Sequence, residues 1–412
     1  MIRNTNTKNA LATDRILSDK QRKNLSILEL VVKHGPISRT EISRQTGLNI
    51  VTISNYINEF IANGLVVEKG FDVSTGGRRP TLVELNPKFG YIIGVGLTAL
   101  NIVGILVDPK MQVICEVKKE RPADNSEAII DKLVETVEEV LSKSKIEPEK
   151  IKGLGIGIPG VIDVEGQTIR WLGSMGLSMV SISGVSLKDI FEKEFDIPTL
   201  VEHDAACAVF GERWFGFESD INDMIYMYTG VGCGLIINGQ IYRGSNGSAG
   251  EVGIFNTSEQ DPEARRRESL NLGTWEIDLG VVYYAREALK KGVKSRIFES
   301  AGNDPDKINL GLVIEASKAG DKFANELLED AGKRLGKKIA FLVNLLNPEV
   351  VVMGGGVEQA GSLFMDAVKR TIHSWSREEN IRNLRIVPAR LGHSAVSMGA
   401  ACLVLQRIFM NA

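Results

Sequence analysis

Twice along this chain an aliphatic run of strand length ends in glycines and is paired with a long amphipathic helix. Few architectures accommodate that pattern twice. The first instance is IKGLGIGIPG at 151–160, preceded by the helical stretch SEAIIDKLVETVEEVLSKSK at 126–145; the second is PEVVVMGGGV at 348–357, preceded by a helical pattern over about 320–346. A near-continuous aliphatic run bounded by glycine reads as a strand covered on both faces, the pattern of a helix-covered sheet. Ahead of the first run, YIIGVGL and NIVGILVD predict a hairpin and MQVICEVKKE a third strand; ahead of the second, Asp223 to Gly234 leads into LIINGQIYRG. The reading is a duplicated α/β body whose ligand cleft lies between two lobes.

The first 88 residues follow a different rule. NLSILELVVKH at 24–34 places Leu25, Leu28 and Val32 at helical spacing, and Gly35-Pro36 stops the helix. Ser38-Arg39-Thr40-Glu41 predicts a capping box for a second helix, flanked by Ile37 and Ile42 as a hydrophobic staple and closed by Gly47. Asn49 then caps a third helix running to about Ala62, with Ile53, Ile57, Phe60 and Ile61 inward and Val51, Thr52, Asn55 and Asn58 outward. Leu65 to Lys69 and Thr81 to Leu85 predict a hairpin whose tip carries Arg78 and Arg79. Two helices across a tight turn, followed by a basic hairpin, make a winged helix-turn-helix, whose third helix enters the major groove. The DNA-contacting candidates are Arg39, Asn49, Thr52, Asn55, Arg78 and Arg79. Charge agrees: residues 1–90 hold 13 Lys and Arg against 8 Asp and Glu, while the remainder holds 36 against 44.

Composition excludes several classes. At 412 residues, 43% hydrophobic and 25% charged, with no run of 18 or more purely apolar residues, the chain reads as globular and without a membrane role. MIRNTNTKNALATDR lacks the apolar stretch of a secretory signal, which points to the cytoplasm. Cys115, Cys207, Cys233 and Cys402 are scattered without ligand spacing and read as reduced, packed thiols.

In order and spacing, five segments resemble the ROK family of repressors, open reading frames and kinases: GLGIGIPGVID at 153–163, VEHDAACAVFGE at 201–212, YTGVGCGLIINGQIYRGSNGSAGEVG at 228–253, NPEVVVMGGGV at 347–357 and LGHSAVSMGAA at 391–401. The similarity is to its xylose-type and N-acetylglucosamine-type repressors. It implies a winged helix-turn-helix over 1–88 and, over 89–412, a two-lobed actin-like, ribonuclease-H-like sugar-kinase fold. Its lobes would span about 89–202 and 203–395, with a C-terminal helix returning to the first. It further implies a sugar or sugar derivative held by Glu202, His203, Asp204, Glu251 and Glu276, operator DNA as partner, and a homodimer, with a tetramer as the alternative.

Departures from the family pattern argue against an enzyme. Asp204 stands where a family kinase has its base, but the first-lobe phosphate hairpin reads Gly94-Val95-Gly96-Leu97-Thr98-Ala99-Leu100-Asn101, with Gly96 in place of the metal-side acid. Ile254 replaces the family's zinc-binding His, and 255–275 contains no Cys or His, so neither metal nor cofactor is expected. Two alternatives stay open: an active sugar kinase that also binds DNA, and a regulator controlled by a protein partner without a small ligand.

Overall fold

Hydroxyls and glycines set the ends of the first helices. A computed structural model describes residues 17–71, 80–98, 101–122, 126–159, 161–163, 168–170, 186–217, 221–228, 232–252 and 279–412. Helix α1 (Asp19–His34) begins five residues earlier than its apolar spacing predicts, because Ser18 and Gln21 form a reciprocal capping box. Its buried side is Asn24, Ile27, Leu28, Leu30 and Val31, so of the three predicted inward residues only Leu28 is fully buried. Ser38 caps α2 (Arg39–Thr46) through the Glu41 amide at 3.2 Å. The return half of the predicted box gives way to another contact. The Glu41 carboxylate instead accepts from Arg44 and Gln45, which hold its pKa down to about 2.

Gly47 takes the left-handed conformation at φ 72°, and Asn49 caps α3 (Ile50–Ala62) by accepting from the Thr52 amide at 2.8 Å. The turn between α2 and α3 is laced further: Ser43 Oγ donates to the Leu48 carbonyl at 2.6 Å and the Leu48 amide to Thr46 Oγ1 at 3.3 Å. Ile53, Ile57 and Phe60 are buried as expected, whereas Ile61 is only half-buried. Strands β2 (Val66–Phe71) and β3 (Thr81–Leu85) form the wing, and β1 (Ile37–Ser38) adds to β3 in the order β1-β3-β2.

The chain divides into two units. The first takes in the chain up to Arg170, a segment ending at Cys207, and Val396–Ala412; the second takes in Ala208–Ala395. In the first, β4 (Tyr91–Leu97), β5 (Asn101–Val107), β6 (Val113–Glu120), β7 (Ile151–Ile158) and β10 (Thr199–His203) form a sheet ordered β10-β7-β4-β5-β6. Between β7 and β10 lie the small ribbon β8 (Val161–Asp163) and β9 (Thr168–Arg170) and helix α5 (Leu187–Phe195). The amphipathic α4 (Ser126–Ser144) packs on β5 and β6, and α6 (Asp204–Gly211) leaves the end of β10.

In the second unit, β11 (Met224–Tyr228), β12 (Gly232–Ile237), β13 (Gln240–Ile241), β14 (Val350–Gly354) and β15 (Arg385–Pro388) form a sheet ordered β13-β12-β11-β14-β15. Each sheet is an antiparallel three-strand meander extended by two parallel strands. The duplication read from the glycine-ended runs is therefore a duplication of topology. Helices of the second unit include α7 (Val281–Lys290), α8 (Arg296–Ser300), α9 (Leu310–Lys318), α10 (Lys322–Leu346), α11 (Ser362–Trp375) and α12 (Glu378–Ile381), with α10 and α11 packed side by side.

The last helix, α13 (Ala395–Met410), starts where the chain re-enters the first unit. Among the described residues, Gly392–Met410 is the one stretch long and apolar enough to cross a bilayer by length and mean hydropathy, although His393, Ser394, Ser397, Gln406 and Arg407 interrupt it. Most of it is buried, with Ala400, Ala401, Cys402, Val404 and Leu405 inside the unit, so it serves as a core helix. Its final turn packs on the winged module: the Phe409 ring meets Phe60 edge-on at 5.1 Å, and buried Asn24 donates to the Phe409 carbonyl at 3.0 Å. The last carbonyls of any helix lack intrahelical donors, and Asn24 supplies one here. A second junction lies on the wing side, where the buried Glu84 carboxylate pairs with Lys69 of β2 and with Lys110 of the β5–β6 turn, at 3.1 and 2.9 Å.

Candidate functional site

Two surfaces answer to the sequence candidates, one on α3 and one at the end of β10. On α3, the spacing of 51, 55 and 58 puts Val51, Asn55 and Asn58 on one exposed face, and Ile50 is exposed beside them. Thr52 is half-buried and lends its amide to the Asn49 cap. The Arg39 guanidinium is engaged within the head: it donates to Glu68 Oε1 at 2.9 Å and to Asn58 Oδ1 at 3.3 Å, tying α2 to α3 and β2. Sequence reasoning missed this tie because Glu68 lies 29 residues away. Arg78 and Arg79 fall outside the described residues.

In the first unit, parallel pairing of β10 with β7 sets Glu202 opposite Gly157 and His203 opposite Ile158, at the carboxyl ends of both strands. Open α/β sheets bind ligands at that edge. Asp204 follows as the first residue of α6; it is buried, accepts the Ala205 amide at 2.7 Å, and lies 3.4 Å from His203 Nδ1. Glu202 Oε1 accepts the His203 amide at 3.0 Å. The strand end thus presents two carboxylates and an imidazole, a set suited to hydroxyl groups.

Glu251 belongs to the second unit and is exposed. It follows Gly250, whose φ of 97° and whose contact with the Cys233 carbonyl leave no room for a side chain. Burial, and then the charge of Glu251, push the Cys233 thiol up to about 12, so this cysteine is not a nucleophile at neutral pH. Glu276, Ile254 and the stretch 255–275 lie outside the described residues.

Thr98 and Asn101, at the ends of β4 and β5, pair with each other. The Thr98 amide donates to the Asn101 carbonyl at 2.8 Å, the Thr98 hydroxyl lies 2.9 Å from the same carbonyl, and the Asn101 amide donates to Thr98 Oγ1 at 3.0 Å. At Gly96 a Cβ would stand 2.8 Å from the Ser397 amide and from Val396 Cβ, because α13 lies directly on β4. The absent acid at this position is matched by absent space.

One structural residue escaped the sequence reading. Glu212 opens a π-helical turn (Glu212–Gly216) at the end of α6 and is fully buried, accepting the backbone amides of Arg390 and Leu391 at 2.9 and 2.8 Å. It pins the LGHSAVSMGAA segment to the VEHDAACAVFGE segment within the second unit, a pairing of motifs that spacing alone cannot reveal.

The ROK family profile matches residues 92–407. This chain belongs to the ROK family. A winged helix-turn-helix DNA-binding profile matches residues 21–67, so head and body are both accounted for. Among ROK relatives, the xylose repressor of Caldicellulosiruptor bescii is 31% identical over 94% of this chain and 96% of its own length. The crystal structure of a ROK transcriptional regulator homologous to the Escherichia coli MLC protein covers 95% of this chain and 97% of its own, with a TM-score of 0.75 at 20% identity. A ROK glucokinase from Streptomyces griseus, solved with glucose and AMPPNP, covers 76% of this chain and 99% of its own, with a TM-score of 0.62 at 25% identity.

Proposed function

We propose that this ROK protein is a cytoplasmic DNA-binding repressor of carbohydrate-utilisation genes whose operator affinity is set by a sugar or sugar derivative, and that it has no kinase activity. The observation that carries the reading is co-linearity: the similarity to a xylose repressor runs through both the winged head and the sugar-kinase-like body. The missing acid at Gly96 and the space taken there by α13 support loss of phosphoryl transfer. In the proposed site, Asp204, Glu202 and His203 accept or donate to sugar hydroxyls, with Glu251 and Glu276 as further acceptors. A homodimer would present two α3 helices to two operator half-sites.

Helix α13 supports a route for the signal. Its first turns lie on β4 and α6, where a Cβ at Gly399 would overlap the Cys207 carbonyl, and its last turn holds Asn24 and Phe60 of the head. A rearrangement at Asp204 that moves α6 would be carried by one rigid rod of about 24 Å.

The test uses the full-length protein: fluorescence anisotropy with duplexes from upstream of the genes it is to control, and a thermal-shift panel of mono- and disaccharides and sugar phosphates. One sugar is expected to raise the melting temperature and change duplex affinity by about 5 to 150 fold. Sugar-dependent ADP formation would overturn the non-enzymatic part. Tight duplex binding with a silent sugar panel would favour the partner-controlled alternative.

A further inference from the structure

Most large apolar side chains of the winged head are buried, yet two adjacent ones on α3 are turned outward: Ile50 is 45% and Val51 66% exposed. Folding does not ask for them there. Both are β-branched, which adds nothing to helix propensity, and the core of the head is already supplied by Ile53, Ile57 and Phe60 from the opposite side. They continue a face whose other exposed members are Asn55, a polar group able to read base edges, and Asn58, whose Oδ1 accepts from Arg39. The head carries an excess of Lys and Arg, which favours a polyanion as the partner of this face. In a major groove, one base feature is apolar and protrudes: the C5-methyl group of thymine.

We propose that Ile50 and Val51 are specificity-determining residues that pack on thymine methyl groups in the operator half-site, one turn of α3 ahead of Asn55. The proposal rests on the head being a DNA reader and adds which base it selects. Branched side chains are preorganised for such a contact, because little rotamer freedom remains to be lost on docking.

The experiment selects duplexes from a random pool with the full-length protein, then replaces each thymine of the enriched site by uracil. That change removes one methyl and leaves base pairing intact. The expected result is one or two positions per half-site at which uracil weakens binding about 4 fold, the value of one buried carbon. Val51→Ala and Ile50→Ala should each bind the thymine duplex more weakly and lose the distinction at their own position, while melting at the wild-type temperature because both sites are exposed. If uracil is tolerated everywhere, or if Val51→Ala and Ile50→Ala keep the full methyl preference, the proposal fails while the head remains a DNA-binding module. If no duplex is enriched, the reading of the head itself fails.

Discussion

The two five-stranded sheets share one strand order but treat the helix on their face in opposite ways. In the first, glycines at 94, 96, 155 and 157 thin β4 and β7, so α13 lies almost on the strand backbones, touching through Val396, Ser397 and Ala400. In the second, β14 keeps full side chains at Val350, Val351, Val352 and Met353, all buried, and close approach moves outward to α10 and α11, where Gly332 and Gly336 meet Phe364, Ala367, Val368 and Thr371. A helix seated on strand backbone has few ways to shift; one seated on side chains can settle through rotamers. The half that bears Asp204 and the winged head is the one with the stiffly seated helix, which is where a binding signal would have to be transmitted.

The largest effects should come from the aromatic cores of the two halves. Phe409→Ala and Phe364→Ala each remove a fully buried ring and should each cost about 3 to 5 kcal/mol in denaturant unfolding. Only Phe409→Ala is expected to weaken duplex binding at a temperature where both variants remain folded. Equal loss of binding would erase the functional difference between the halves.

Smaller effects should follow from the glycines. Gly399→Ala forces a methyl deep onto the Cys207 carbonyl and should cost about 3 kcal/mol, whereas Gly336→Ala meets the Thr371 Cβ and the Val368 carbonyl less closely and should cost about 2 kcal/mol. Reversal of that order in unfolding midpoints would show that α13 has the softer seat.

The smallest effect concerns pH. Burial by itself would raise the Glu84 pKa, but Lys110 and Lys69 outweigh it and hold the carboxyl below its ordinary value. A carboxyl with a depressed folded pKa stabilises the fold above its unfolded value, near about 4.3, and loses that contribution as pH falls through the folded pKa. Glu84→Gln should therefore flatten the stability profile below about pH 4 relative to wild type. Superimposable acid limbs for the two proteins would remove Glu84 as a wing junction of consequence.

How much could be read in advance differs between these same regions. Ser38, Gly47 and Asn49 announce helix ends because capping is settled within three or four residues, and the meander β4–β5–β6 follows from alternating apolar runs and short turns. Of the candidate site, the strand end carrying Glu202, His203 and Asp204 was legible through its motif. The bond from Asn24 to the Phe409 carbonyl was not, since a buried asparagine and a solvated one look alike in a helical stretch until the partner 385 residues away is known.

By itself the sequence determined the kinds of element, their order, the duplicated α/β body and the winged head, because caps, turns and apolar periodicity act over a few neighbouring residues. Tertiary structure alone decided that β1 joins the wing, that Arg39 serves Glu68, that Glu212 pins residues 390 and 391, and that Gly96 lies under α13. Each of those joins residues tens to hundreds of positions apart, and such a contact exists only once the entropy of bringing the chain together has been overcome by the packing of the whole unit.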